Sequence, residues 1–82
     1  SQHSYILELK VLSKKDSSAI VEGEFTEDGK PMTKAEKQWR EAVDQIHRYA
    51  EAPRVEALRQ GTKLHLIIMQ FEGWELKRME EV

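Results

Sequence analysis

The sequence predicts an α/β domain: a mixed sheet of three to four strands with one long and one short helix. Three observations predict it. Residues 5–12, Tyr-Ile-Leu-Glu-Leu-Lys-Val-Leu, read as a short apolar strand. Residues 34–51 carry apolar side chains at helical spacing behind a capping signal. Residues 64–71 hold six apolar residues out of eight, with apolar groups on both faces, and read as a buried strand. A strand, a long amphipathic helix and a second strand make a βαβ unit. Its two strands are expected to be parallel and close neighbours, joined by a right-handed crossover.

Along the chain, strand 5–12 is followed by a polar break, Lys14-Lys15-Asp16-Ser17-Ser18. Residues 19–25 read as a second short strand or an ordered loop, because Gly23 weakens a strand from within. Glu27-Asp28-Gly29-Lys30-Pro31 is a turn. Thr33 and Glu36 then form a T-x-x-E capping box that starts the long helix. Ala35, Trp39, Ala42, Val43, Ile46, Tyr49 and Ala50 fall on one face of it. Pro53 ends that helix and suits the first turn of a short one over 53–60, which Gly61 would close in a left-handed conformation. Both faces of strand 64–71 are apolar, which predicts burial on both sides. Glu72-Gly73 turns the chain into a final strand, Trp74 to Met79. There is no repeat and no low-complexity tract.

Composition narrows the function. At 82 residues this is one small domain. Charged residues make up 34% and the hydrophobic set 39%, with a net charge of −2. The mean hydropathy is −0.69. No overall positive field draws in nucleic acid, so such contact would need a local patch or another chain. With no cysteine, disulfides and thiolate metal sites are excluded, and a reducing cytoplasm fits. No apolar run approaches the ~20 residues of a membrane span, and no signal segment is visible. The chain opens four residues before its first strand, so we expect the C-terminal portion of a longer protein. A marginal sheet with one and a half helices asks for further cover, from an N-terminal part or from a second copy in a homodimer.

The residues with chemical potential are few. Glu8 and Lys10 lie two apart on a strand, so both project from one face, roughly 7 Å apart. A carboxylate beside an ammonium can hold a divalent cation and steady a phosphate. Taken alone, Glu-x-Lys is a weak signal, and the plainer reading is an ordinary half-exposed strand carrying an i, i+2 ion pair. Gln45 and Tyr49, at i and i+4, are neighbours on the long helix. Gln45 sits at the border of the apolar face, within reach of something bound at the sheet. As a purely structural pair, Tyr49 would be a boundary residue and Gln45 a solvated one. Lys14, Lys15 and Arg48 would add a small phosphate-facing patch, or are solvated charges. Glu22 and Glu24 would share a face if 19–25 is a strand. His3, His47 and His65 lack metal-ligand spacing; His65 reads as a hydrogen-bonded core histidine and His47 as exposed. Trp39 and Trp74 read as core or interface anchors. There is no Gly-rich phosphate loop and no nucleophile elbow.

The order of these pieces, a Glu-x-Lys strand, a helix with Gln-x-x-x-Tyr and a buried strand, resembles the PD-(D/E)XK nuclease superfamily. The Gln-x-x-x-Tyr element is similar to its RecB-like branch. Tyr5-Ile-Leu-Glu-Leu-Lys10, the stretch Ala42 to Ala50, Gly61-Thr-Lys-Leu-His-Leu66 and Gly73-Trp-Glu-Leu…Glu80-Glu-Val82 resemble the C-terminal nuclease-like domains of bacterial AAA-ATPase-like proteins. The resemblance covers the chain from residue 5 and implies a partial restriction-endonuclease-like core. It implies Glu8 as a ligand for Mg²⁺ or Mn²⁺. Lys10 would position the water nucleophile or offset phosphate charge, with Gln45 and Tyr49 in support. The implied reaction is metal-assisted phosphodiester hydrolysis, on DNA more readily than RNA, beside an upstream ATPase domain.

One departure matters. The family's site also uses an Asp on the strand before Glu-x-Lys, whereas Asp16, Asp28 and Asp44 all follow Lys10. One carboxylate is a poor Mg²⁺ site, so this chain alone is expected to bind metal weakly or not at all and to be inactive. The alternative is a non-catalytic binding or oligomerisation module derived from a nuclease.

Overall fold

In the computed structural model, which describes residues 2–82, strand β1 (His3–Leu12) runs parallel to β4 (Lys63–Glu72). The register pairs Tyr5 with His65, Glu8 with Ile68 and Lys10 with Gln70. Strand β5 (Glu75–Glu81) adds antiparallel to β4 across a bulge at Gln70/Phe71, giving the order β1-β4-β5. The turn uses Gly73 at φ 57°, and its N–H donates to the Leu12 carbonyl, tying the hairpin to the end of β1.

Between β1 and β4 come five further elements. Helix α1 (Lys14–Ser18) occupies what reads from the sequence as a polar break; the Ser13 hydroxyl caps it by accepting from the Asp16 N–H at 3.0 Å. Residues 20–25 are indeed a strand, β2 (Ile20–Phe25), but it pairs antiparallel with β3 (Pro31–Thr33) in a separate two-stranded sheet. The intervening turn holds Gly29 at φ 83°, a conformation that favours glycine. Helix α2 (Lys34–Ala50) starts with the expected capping box: Thr33 Oγ1 accepts from the Glu36 N–H, and Glu36 accepts from the Thr33 N–H, both at 3.2 Å. Pro53 opens α3 (Pro53–Arg59), and Gln60 as well as Gly61 takes the left-handed conformation after it.

The core is one layer of contact between α2 and the sheet. Trp39, Ala42 and Ile46 pack on Leu66 and Ile68, with Ile6, Val43, Ala50, Leu64 and Val82 around them. Ile68 is completely buried. The Arg78 guanidinium lies 4.0 Å from the centroid of the Trp39 ring and covers its outer side.

The expectation that β4 is buried on both faces is corrected. Leu66, Ile68 and Gln70 are buried against α2, while Ile67, Met69 and Phe71 point the other way and are only partly covered. No described helix lies on that second face. The apolar run recorded two apolar faces, but α2 can cover only one of them. Trp74, read as an anchor, is fully exposed beside that open face, whereas Trp39 is in the core.

Candidate metal-nuclease site

Strand alternation aims Ile6, Glu8 and Lys10 at α2 and sends Tyr5, Leu7, Leu9 and Val11 to the open face. The helix meets the first set with Gln45 and Tyr49, one turn apart. Lys10 Nζ lies 3.4 Å from Glu8 Oε1 and donates to Gln45 Oε1 at 3.4 Å. Glu8, Gln45 and Tyr49 line one open pocket of about 400 Å³, with Ile6, Leu7 and Ile46 as its apolar wall. All four residues singled out in the sequence therefore converge at one place. The Glu8 side chain is 20% exposed, and its Oε2 is buried without a hydrogen-bond partner. A buried carboxylate oxygen left bare costs free energy until a cation or a donor reaches it.

The register of α2 over the sheet is set by a residue the sequence reading passed over. Gln70 is buried, and its amide donates to the Ala35 carbonyl at 2.8 Å and to Gln38 Oε1 at 3.0 Å. Gln38 in turn donates to the Val11 carbonyl at 3.4 Å. This network pins the first turns of α2 to β4 and β1, and thereby places Gln45 two turns on, opposite Lys10. The signal was visible: Gln70 is the polar residue on the Leu66–Ile68 face of an otherwise apolar strand.

Other candidates lie elsewhere. Glu24 is drawn to α2 by an ion pair with Lys37 at 2.6 Å, which holds the Lys37 ammonium above its usual pKa. Asp28 is in the β2–β3 turn, where the Thr26 hydroxyl donates to it and holds its carboxyl below the usual range. Asp44 lies on the outer surface of α2 with Glu41 and Arg48, around a shallow pocket that shares Gln45 with the Glu8 pocket. Lys14 and Lys15 follow the end of β1 near the first turns of α2, whereas Arg48 is in its last turn, so the three do not form a patch. His65 is hydrogen-bonded as expected, to His3 at 2.8 Å and Glu81 at 3.0 Å, but on the open face.

Among the described residues no group of three or more His, Cys, Asp or Glu could hold a metal ion. Glu8 Oε2 fits one ligand position of Mg²⁺. A hard cation takes about six oxygen ligands, so the residues of this chain do not by themselves fit a resident ion. No described helix is long and apolar enough to cross a membrane.

Comparison with known proteins settles the family. The sequence pattern that defines the PD-(D/E)XK nuclease superfamily matches residues 1–81. No curated protein and no solved structure matches the chain. With Glu8 and Lys10 on a strand parallel to β4, facing a helix that carries Gln45 and Tyr49, the chain belongs to the PD-(D/E)XK nuclease superfamily.

Proposed function

We propose that this chain is the Glu-x-Lys part of a metal-dependent nuclease site, within a longer RecB-like protein that also carries an AAA-ATPase-like module. Its substrate is nucleic acid, DNA ahead of RNA, and the cysteine-free chain suits a cytoplasmic setting. The observation that carries this reading is the bare Glu8 Oε2, buried beside Lys10 in an open pocket shared with Gln45 and Tyr49. In this reading Glu8 offers one ligand oxygen to Mg²⁺ or Mn²⁺, and the second carboxylate comes from a strand upstream of Ser1. A bound divalent ion supplies Lewis acidity and a lowered pKa for its water.

Lys10 is shared between Glu8 and Gln45 by two long contacts of 3.4 Å. Contacts of that length on a partly exposed ammonium are weak, so Lys10 can swing to a phosphate oxygen or to the attacking water at small cost. Gln45 keeps the ammonium over the pocket until then. Tyr49, more than half exposed at the pocket mouth, offers its hydroxyl and ring to the nucleic-acid backbone.

The test is cleavage by the longer protein. Mg²⁺-dependent cutting of DNA or RNA is expected, abolished by Glu8→Ala and by Lys10→Ala in variants whose circular dichroism is unchanged. The 82-residue chain should neither cut nor gain thermal stability with Mg²⁺. A longer protein that fails to cut, or cuts equally well with both changes, defeats the proposal. A second reading, a non-catalytic binding module, is favoured by the single carboxylate in the pocket. It requires binding of nucleic acid without cleavage by that same longer protein.

A further inference from the structure

Among the described residues, two buried side-chain atoms have no hydrogen-bond partner: Glu8 Oε2 and Arg59 Nε. Native structures leave few such atoms bare, and each asks for an explanation. Arg59 is the last residue of α3, and its side chain is 30% exposed. It lines a hollow of about 250 Å³ together with Ser4, Ile6, Tyr49, Val55 and Leu58. Ile6 and Tyr49 also line the Glu8 pocket, so the two hollows adjoin. Arg59 is the only charged side chain among the described residues around the second hollow. Its ion pair with Glu56 is long, 3.6 Å, and Glu56 is mostly in solvent, so the pair holds the guanidinium weakly.

We infer that Arg59 holds a backbone phosphate of the nucleic acid, a few nucleotides from the bond at Glu8. The inference rests on the reading of the Glu8 pocket as a nucleic-acid site. A polymer seated at Glu8 has to run on beyond it, so the longer protein must leave a path along this side of the sheet. The hollow past Gln45 is lined by Glu41 and Asp44 as well as Arg48, and its two carboxylates repel phosphate. The hollow past Tyr49 has no carboxylate in its lining and leads to Arg59. The two bare atoms are also complementary. Glu8 lacks a cation or donor, Arg59 lacks an acceptor, and a phosphodiester strand with its metal ion brings both. A guanidinium is always charged, and its fork matches the oxygens of a phosphate. Ser4 is four residues from Glu8, which puts the second hollow about 13 Å along β1. That is on the order of four nucleotides of a duplex, at about 3.4 Å each along one strand. Tyr49 stands between the hollows, where its ring offers a base a surface to stack on.

Fluorescence anisotropy of labelled DNA on the longer protein, in EDTA so that nothing is cut, tests it. Arg59→Gln should weaken binding about tenfold, with circular dichroism unchanged. It should also lower the slope of log affinity against log salt by about 0.7 for a single strand or about 0.9 for a duplex, the signature of one lost phosphate contact. Arg59→Lys keeps the charge and should keep the slope. With Mg²⁺ restored, Arg59→Gln should raise KM by more than it lowers kcat. Unchanged affinity and salt slope in Arg59→Gln overturn the inference, and cutting that depends on Glu8 and Lys10 then leaves the nuclease reading standing. Binding that depends on Arg59 without any cutting upholds the inference and defeats the nuclease reading. A longer protein that binds no nucleic acid defeats both. If Arg59→Gln does not fold, the unaltered protein decides. Bound DNA should shield Arg59 from phenylglyoxal, as read by mass spectrometry of the peptide that carries it, and undiminished modification overturns the inference.

Discussion

Replacing Gln70 with Met removes both amide donors and keeps nearly the same volume. The Ala35 carbonyl and Gln38 Oε1 then lose bonds of 2.8 and 3.0 Å. A typical hydrogen bond contributes about 1 kcal/mol net. Gln38 is only half-buried and can turn to water, so its share is the smaller; the Ala35 carbonyl lies in the first turn of α2. The expected loss is therefore about 1–2 kcal/mol, or a fall in Tm on the order of 5–15 °C for a domain of this size. Urea denaturation of Gln70→Met, Gln38→Ala and the double variant measures it. The cycle should return a coupling of about 0.5–1 kcal/mol. Gln70→Met should also loosen the helix over the site, and the Lys10 and Gln45 side-chain resonances should broaden or shift together. A Gln70→Met chain as stable as the original, with zero coupling to Gln38, would refute the assignment of α2 register to this network.

Three further outcomes are expected. Ile68→Ala empties the completely buried centre of the core and should cost about 2–5 kcal/mol in denaturant unfolding, enough to threaten folding of so small a domain. Thr33→Ala breaks the capping box and should cost about 1 kcal/mol by the same measurement, whereas Thr33→Ser should cost little. The Thr26 hydroxyl, followed by the backbone bonds of Lys30 and Asp28, lowers the folded-state pKa of Asp28. A lowered carboxylate contributes stability that is present above the unfolded value of about 3.9 and is lost as pH falls through the folded value. Carbon-detected titration should find the Asp28 midpoint below the ordinary one, and Thr26→Val should return it toward that value.

Much of the scaffold is legible in the sequence because period and punctuation agree there. Strand alternation, the Thr33–Glu36 box and Pro53 locate β1, α2 and α3 within a residue or two. Helix α1 is hidden because five polar residues have no apolar face to reveal a period; it forms from its Ser13 cap. The three residues of β3 are too few to show alternation. Strand β2 shows no preference for a partner, so its pairing with β3 rather than β1 follows only from the intervening turn. In the site, alternation alone puts Glu8 and Lys10 together. Whether Gln45 comes opposite them depends on how α2 slides over the sheet, which the Gln70–Gln38 contacts decide and no local pattern encodes.

The orientation of β1 has a consequence for how the fold is selected. The strand turns a charged pair toward the helix and its leucines away from it, the reverse of what burial alone rewards. A slip of one residue against β4 would bury Leu7 and Leu9 under α2 and expel Glu8 and Lys10. The native ladder is therefore frustrated along its middle and must be held at its ends. The bonds found there do that: Lys63 N–H to the Gln2 carbonyl, Ser4 to Thr62, the Tyr5 ring stacked on His65, and Gly73 N–H to the Leu12 carbonyl. Polar bolts at the two ends, together with Ile6 in the core, keep the carboxylate of Glu8 on the chemically useful side.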